Sequence, residues 1–546
     1  MPAGRRITRR RVIYLDSIRY HLIVEDESPQ SPEPRSRQEA RQARGARRAL
    51  TRRRATALTI VVVLVIAAAG YGIYRFTGDG STRVAGANSG DVTTTAVGTA
   101  GSDRASTTIP AGSGTADAGG SATTTSSIAG STSSSTAPNL APQKLVVKCN
   151  PEVANLKITL QDGTTMTGKT PFSQQVPGGD IRLQLTKPGY NVATQEITLD
   201  RTRSLSVWLD PEGLLHESLL RFKCGPNPKQ VAFTPDGKEM WVSLLGGYGL
   251  EVFEPTTGKK IDQVRLGEYG AVEVIFTRDG TTVYASQMET ASVYEIDRAT
   301  RTVTRTFKTG GSWTKVLLLS PDEKTLWASN WVSNDVSEID LTTGKLTRRL
   351  KTVVTPRGLY VTPDAKRLFV AGFENGDIQR IDLATGKGTV LFKTGGAMRH
   401  MVADDSRGLL YVDDMSTKEV FVVDLVTEKV TKLADTDERP NTMDLSPDGK
   451  VLYVSNRGKD NPKTYYIPGP EWGSVLAIDT ATGKVLDAIV GGNQSTGLDV
   501  SPDGTLLAFS DFLDNKIRVY KIPDYETLAA GGGGRAVAHL KDIVKD

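Results

Sequence analysis

The chain has 546 residues, 38% of them hydrophobic, and 67 Lys and Arg against 62 Asp and Glu give it a formal net charge of +5. That length holds two or three domains. The charge is uneven: residues 1–54 contain fifteen Arg and six acidic residues, a surplus of nine, so the remainder is mildly acidic and a nucleic-acid-binding role loses its compositional support.

In chain order, the basic arm 1–54 holds one strand-like pair, Arg11–Leu15 and Tyr20–Val24, that reads as a small hairpin. Ala55 to Tyr74 carries no charge, and its length matches a bilayer's hydrocarbon core, which predicts a transmembrane helix over 55–75. Arg47, Arg48, Arg52, Arg53 and Arg54 stand just before it, so the N-terminus is expected in the cytoplasm and the rest outside. Late cleavage after Ala69, with Arg52-Arg53 as a twin-arginine signal, is the alternative. Residues 76–142, rich in Gly, Ser, Thr and Ala, cannot bury enough apolar surface to offset ordering entropy and are expected to form a disordered tether spanning about 45 Å.

From Lys144 the texture changes to short alternating runs: Leu145–Lys148, Leu156–Leu160, Ile181–Leu185, Gln195–Leu199 and Ser204–Trp208. Asp162-Gly163, Pro177-Gly178-Gly179 and Pro188-Gly189 punctuate them, which predicts a small all-β sandwich over 143–212. Pro151-Glu152-Val153-Ala154, Gly168-Lys-Thr-Pro171, Val176-Pro-Gly178 and Lys187-Pro-Gly-Tyr190 resemble the PEGA domain, with Val153 where the name-giving quartet has Gly. That resemblance implies a non-enzymatic extracytoplasmic module for attachment or protein contact. Cys149 and Cys224, the two cysteines, flank this domain and either clamp its ends as a disulfide or stay as free thiols.

A repeat begins near residue 226. One turn recurs as Thr234-Pro-Asp-Gly237, Thr277-Arg-Asp-Gly280, Ser320-Pro-Asp-Glu323, Thr362-Pro-Asp-Ala365, Asp404-Asp-Ser-Arg407, Ser446-Pro-Asp-Gly449 and Ser501-Pro-Asp-Gly504, at intervals of 43, 43, 42, 42, 42 and 55 residues. An apolar strand precedes each turn and another follows it. A third strand ends in Asp297, Asp340, Asp382, Asp424 or Asp479, and a polar fourth closes the unit. Four strands in about 42 residues make one propeller blade, so 213–525 is expected to be a seven-bladed β-propeller. Its last blade is closed by Leu214–Lys223, which leaves no open sheet edge. Residues 526–546 form a tail that is either disordered or docked. Leu452-Tyr-Val-Ser-Asn456 and Ile339-Asp-Leu-Thr-Thr-Gly-Lys345 resemble the YVTN-type propeller repeat. That resemblance implies the fold and leaves function open, because such propellers host lactonases, quinoprotein subunits and pure binding proteins.

Five residues before each turn the units hold Lys229, Val272, Lys315, Arg357, Arg399, Asn441 and Thr496. With His400, Trp313, Trp331 and Phe373, and with Tyr248, Asn375 and Asn515 on neighbouring loops, these predict either a basic, aromatic-rimmed ligand funnel or cations that bond neighbouring blades. The 55-residue interval marks an insertion within 457–473, whose Tyr465, Tyr466 and Trp472 are candidates for partner recognition. Metal-ligand spacings, a haem-attachment motif, a nucleophile elbow and a dinucleotide fingerprint do not occur, so no catalytic residue, metal or cofactor is expected. Glu273, Arg399 and His400 supply only part of a lactonase-type constellation. The expected protein is a single-pass anchored binding or scaffold protein presenting its propeller to a protein or cell-envelope glycan. An extracytoplasmic hydrolase or oxidoreductase subunit using the funnel is the alternative, and a sensor is a third reading that the long tether disfavours.

Overall fold

Strands supply nearly all the regular structure of the computed structural model, which describes residues 11–15, 18–22, 141–531 and 533–545. The predicted span 55–75, the linker 76–142 and the rest of the basic arm lie outside the described residues. Among the described residues, no helix is long and apolar enough to cross a membrane. In the arm, Arg11–Leu15 pairs antiparallel with Ile18–Leu22, a hairpin whose second strand starts two residues earlier than its sequence suggested.

Residues 143–209 form two sheets. One runs in the order Thr165–Lys169, Asn155–Thr159, Gly179–Thr186, Ala193–Leu199. The other runs Phe172–Val176, Gln143–Asn150, Arg203–Trp208, its last pair parallel. Alternation explains the packing: Leu145, Val147, Leu156, Ile158, Leu183 and Leu185 point inward and are fully or almost fully buried, while their neighbours face solvent. All five expected runs are strands. Thr165–Lys169 and Phe172–Val176 were missed because one buries no side chain fully and the other only its two ends.

The repeat builds seven four-stranded antiparallel sheets among the described residues. The third runs Thr314–Leu319, Thr325–Asn330, Asp335–Asp340, Lys345–Lys351, and the others follow its plan. Each sheet's first strand packs beside the first strand of the next sheet, and the last packs beside the first. That is the arrangement of a β-propeller. The second strands are almost wholly buried and the fourth strands of the first five sheets are largely exposed, as in Thr325–Asn330 and Thr302–Lys308, whereas Val485–Val490 is buried and Glu217–Lys223 half-buried. Glu217–Lys223 pairs with Lys516–Lys521 as the outer strand of the last sheet, so chain start and chain end share one blade. His216, immediately before it, is buried with Nδ1 at 2.7 Å from Asp487, and Asp487 also accepts the backbone N–H of Leu215 and His216.

Six of the seven recurring turns are built alike, the fifth instead having Ser406 donate to Asp404. Thr234 donates its hydroxyl to Asp236 at 2.7 Å, and Gly237 takes a φ of +67° that a side chain would oppose. A second device links the blades. The hydroxyls of Ser243, Ser286, Ser329, Ser455 and Ser510 each accept an N–H from their own inner strand. Each donates to a carbonyl of the next blade's inner strand, from Val272 round to Pro228. Blade four has Ala371 at this position and blade five has Asp413.

The two cysteines are free. The thiol of Cys149 lies 2.8 Å from the hydroxyl of Thr170, and Cys224 packs among apolar residues of the first blade and the closing strand. Burial, together with the charges of Glu251 and Asp511, pushes the Cys224 thiol's pKa up. Of the two readings, the fold holds the second, with the cysteines as separate thiols. The tail is docked: α1 (Tyr525–Ala530) and α2 (Arg535–Asp542) pack against Val485–Val490 of blade six.

Candidate functional site

Because strands alternate in direction, the second-to-third-strand loops and the fourth-to-first connections emerge at one end of the propeller. Two rings of side chains line the axis there. The upper ring is the residue following each second strand: Leu245, Met288, Trp331, Phe373, Met415, Arg457 and Phe512. The lower ring contains Lys229, Lys315, Arg357 and Arg399. Bulges near the start of six of the seven inner strands turn these side chains toward the axis.

The two rings are stacked on one another. The Lys315 ammonium lies 3.4 Å from the Trp331 ring centroid and 5.8 Å from Trp313, and Lys229 lies 5.4 Å from Phe512. Arg357 and Arg399 lie 5.9 Å from Trp331 and Phe373 respectively. Arg399 also donates to the Asn441 carbonyl in the next blade and to the Met415 sulfur. All four cations are buried, as are Trp331 and Phe373. A cation over an aromatic face is attracted to the ring quadrupole, and more strongly when desolvated. Of the two expected arrangements, a ligand funnel or cations bonding neighbouring blades, Arg399 has the features of the second, and all four cations are buried beside aromatic side chains.

Trp313 is the exception. It is only partly buried and stands 6.1 Å from Trp331. Its φ is +61°, at a repeat position where the first, fourth, sixth and seventh blades place Asn227, Thr355, Arg439 and Gln494 in the same left-handed region and the second has Gly270. A bulky residue there costs about 1–2 kcal/mol. The indole N–H of Trp331 is buried with no acceptor among the described residues. Tyr248, Tyr269, Val332 and Tyr466 are large exposed side chains on the same end.

Below the upper ring lies an axial chamber lined by Lys229, Glu273, Arg357, His400, Asn441 and Thr442 among others, with a cavity volume of about 20 Å³, room for about one water. Of these, Glu273 and His400 are partly buried, and Lys229, Arg357, Asn441 and Thr442 are buried. Burial, partly offset by Arg357 and Lys229, pushes Glu273 up to about 7. Burial and the Arg357 and Arg399 charges push His400 down to about 3, so its imidazole is neutral and its Nδ1 accepts the Met443 N–H at 3.3 Å. Asp413, raised to about 7 mainly by burial, accepts the His400 backbone N–H through Oδ1 and leaves Oδ2 without a partner among the described residues. Nearer the other end of the axis, Asp444 accepts from Val500 N and Asp499 from Phe233 N, and burial raises the pKa of both. Among the described residues no group of three or more His, Cys, Asp or Glu is arranged to hold a metal ion. A wider polar concavity on the PEGA-like sheet, between Lys157, Thr167, Lys169 and Gln184, is shallow and brings no reactive groups together.

The loop 457–473 divides the residues expected to act together. Tyr465 is buried under Arg457 and stacks on Phe512, and Tyr466, half exposed, stacks on Tyr465 with centroids 4.1 Å apart. Trp472 lies at the other end of the loop, 6.0 Å edge-on from Trp208 of the sandwich, so it is removed from the set of mouth residues. Met288, Met415 and Phe512 were missed. The repeat alignment holds them, one residue after each second strand, but they read there as ordinary loop residues.

The PEGA domain family matches residues 143–212, and the YNCE-like beta-propeller family matches residues 279–496. The chain is 33% identical over 389 residues to Antigen Lp49 of Leptospira interrogans serogroup Icterohaemorrhagiae serovar copenhageni (strain Fiocruz L1-130), covering 69% of this chain and 85% of that protein. The chain belongs to the Lp49 antigen family. Its matched domains place a PEGA domain ahead of a YNCE-like propeller, and the mouth just described is one end of that propeller. A chain of Kuenenia stuttgartiensis Hydrazine Synthase is similar at 21% identity with a TM-score of 0.48, over 54% of this chain and 96% of that one.

Proposed function

We propose that this Lp49-family protein is a membrane-anchored extracytoplasmic binding protein. It presents the mouth of a seven-bladed propeller to a protein or cell-envelope glycan partner. The observation that carries the reading is Trp313: a large aromatic side chain kept partly exposed on a left-handed backbone, beside Trp331 and above Lys315. Backbone strain and unsatisfied polar atoms concentrate where binding needs them. Exposed Tyr248 and Tyr466 extend the aromatic rim, and amphipathic rings of this kind dominate recognition surfaces. An extracytoplasmic position is supported by kinship with an antigen and by the uncharged stretch at 55–74 after its run of Arg.

The enzyme alternative rests on Glu273 and His400 sharing the axial chamber. Its weakness is size: a cavity of about 20 Å³ has room for about one water. The deciding experiment captures cell-envelope material on the full chain and on its W313A and Y466A variants. Loss of capture in both, at unchanged melting temperature, supports recognition at the mouth. Equal capture by all three removes that reading.

A further inference from the structure

The inserted loop 457–473 touches the mouth through Arg457 and Tyr465 and the PEGA domain through Trp472, and its base is closed, since a Cβ on Gly458 would lie 2.5 Å from the Trp472 carbonyl oxygen. At the mouth, Arg457 donates to the Gln494 side chain at 2.6 Å, and Gln494 in turn donates to the Tyr465 carbonyl. At the PEGA domain Trp472 packs on Trp208, the last residue of the domain's final strand, which also lies 4.0 Å from the Arg518 guanidinium of blade seven.

The two limbs of the loop are pressed together along its length. Asn461 donates to the Pro468 carbonyl at 3.1 Å and Lys459 N–H to Glu471 at 3.2 Å. A Cβ on Gly469 would lie 1.8 Å from the Lys459 carbonyl oxygen. Such close approach leaves no slack to absorb a displacement, because packed elements shift as units.

The C-terminal segment straps the Trp472 side down. Glu471 bridges Val544, Trp472 N–H donates to the Ile543 carbonyl at 2.7 Å, and Lys545 N–H donates to the Pro470 carbonyl at 3.0 Å. The Lys545 ammonium lies 4.3 Å from the Trp472 ring centroid. Helix α2 is itself pinned to the propeller through His539, 2.8 Å from Asp437, and reaches the PEGA domain through Asp542, 3.4 Å from the Tyr190 hydroxyl.

We propose that the loop and the C-terminal segment form a lever that couples the mouth to the seating of the PEGA domain, so that occupying one changes the stability of the other. Its biological meaning rests on the mouth being the partner site, but its mechanics do not. Coupling of this kind is reciprocal, which makes it testable without a partner. Hydrogen exchange followed by mass spectrometry on the full chain reads both ends.

Trp472→Ala should speed exchange at least threefold at 463–467 as well as at 205–210. Tyr465→Ala should do the same at 205–210 and 543–545. A variant ending at Gly534 should speed all of these segments together. If Trp472→Ala loosens 205–210 and leaves 463–467 unchanged, or Tyr465→Ala leaves 205–210 unchanged, the loop is a local clamp and the lever is wrong. The point variants keep the test valid should the shortened chain not fold. A failed envelope capture with coupled exchange rejects the mouth as a partner site and leaves the lever standing.

Discussion

The hydroxyl of Ser510 donates to the carbonyl of Pro228 at 3.1 Å, across 282 positions of sequence. It is the last of the serine clamps, the one that ties blade seven to blade one. Ser510 is fully buried and also accepts the Gly497 N–H, so removing the hydroxyl strands two backbone groups. Ser510→Ala should lower stability by about 1–2 kcal/mol, and Ser286→Ala by a similar amount, as read from denaturant midpoints. A neutral result at both positions would mean that strand pairing alone closes the ring.

The junction at Asp487 is more demanding. Its carboxylate accepts the Leu215 and His216 amides and meets the His216 ring. Asp487→Ala should cost roughly 3 kcal/mol or more, since it leaves several buried donors unpaired. Asp487→Asn should cost less. Early proteolysis within 213–223 is the accompanying signature of a detached closing strand.

Arg399 separates the two readings of the basic ring. It is 1% exposed, stacked on Phe373 and bonded to the next blade. Arg399→Glu should therefore lower the melting temperature markedly, with a cost of roughly 3 kcal/mol or more. A stable Arg399→Glu protein with impaired capture would instead return this side chain to the binding surface.

Trp313 makes the opposite prediction. Trp313→Asn relieves the left-handed strain and should stabilise the protein by about 1 kcal/mol while weakening capture of envelope material. A destabilised variant would show that the stack on Trp331 outweighs the strain.

Glu273 gives a pH dependence with a definite sign. Its folded-state pKa of about 7 lies above the ordinary glutamate value, so the folded protein holds a proton that the unfolded chain releases. Stability from this group is present at acid pH and is lost as pH rises from about 4.3 to about 7. His400 works the other way, its contribution being lost as pH falls from 6.5 to about 3. Glu273→Gln should thus melt with wild type near pH 4 and above it at pH 7.5. Parallel curves across that range would show that Glu273 is ionised throughout.

The sequence by itself determined the local pattern: the seven turns, the strand-ending Asp residues, the sandwich and the sharing of the last blade. The turns and strand-ending Asp residues recur in contiguous residues through period-two alternation and turn chemistry, and the shared blade follows from the missing fourth strand of the last unit. The basic ring and Trp331 were also legible, because the repeat aligns them. Their state was not, since whether a cation meets solvent or an aromatic face depends on how neighbouring blades stack. The tertiary structure alone decided that Lys315 and Arg399 are buried beside aromatic side chains and that Trp472 belongs to the PEGA junction. It alone docked the tail from 535 on and kept Cys149 and Cys224 apart. These contacts join residues tens to hundreds of positions apart, and burial is a property of what arrives beside a side chain, which no local spacing records.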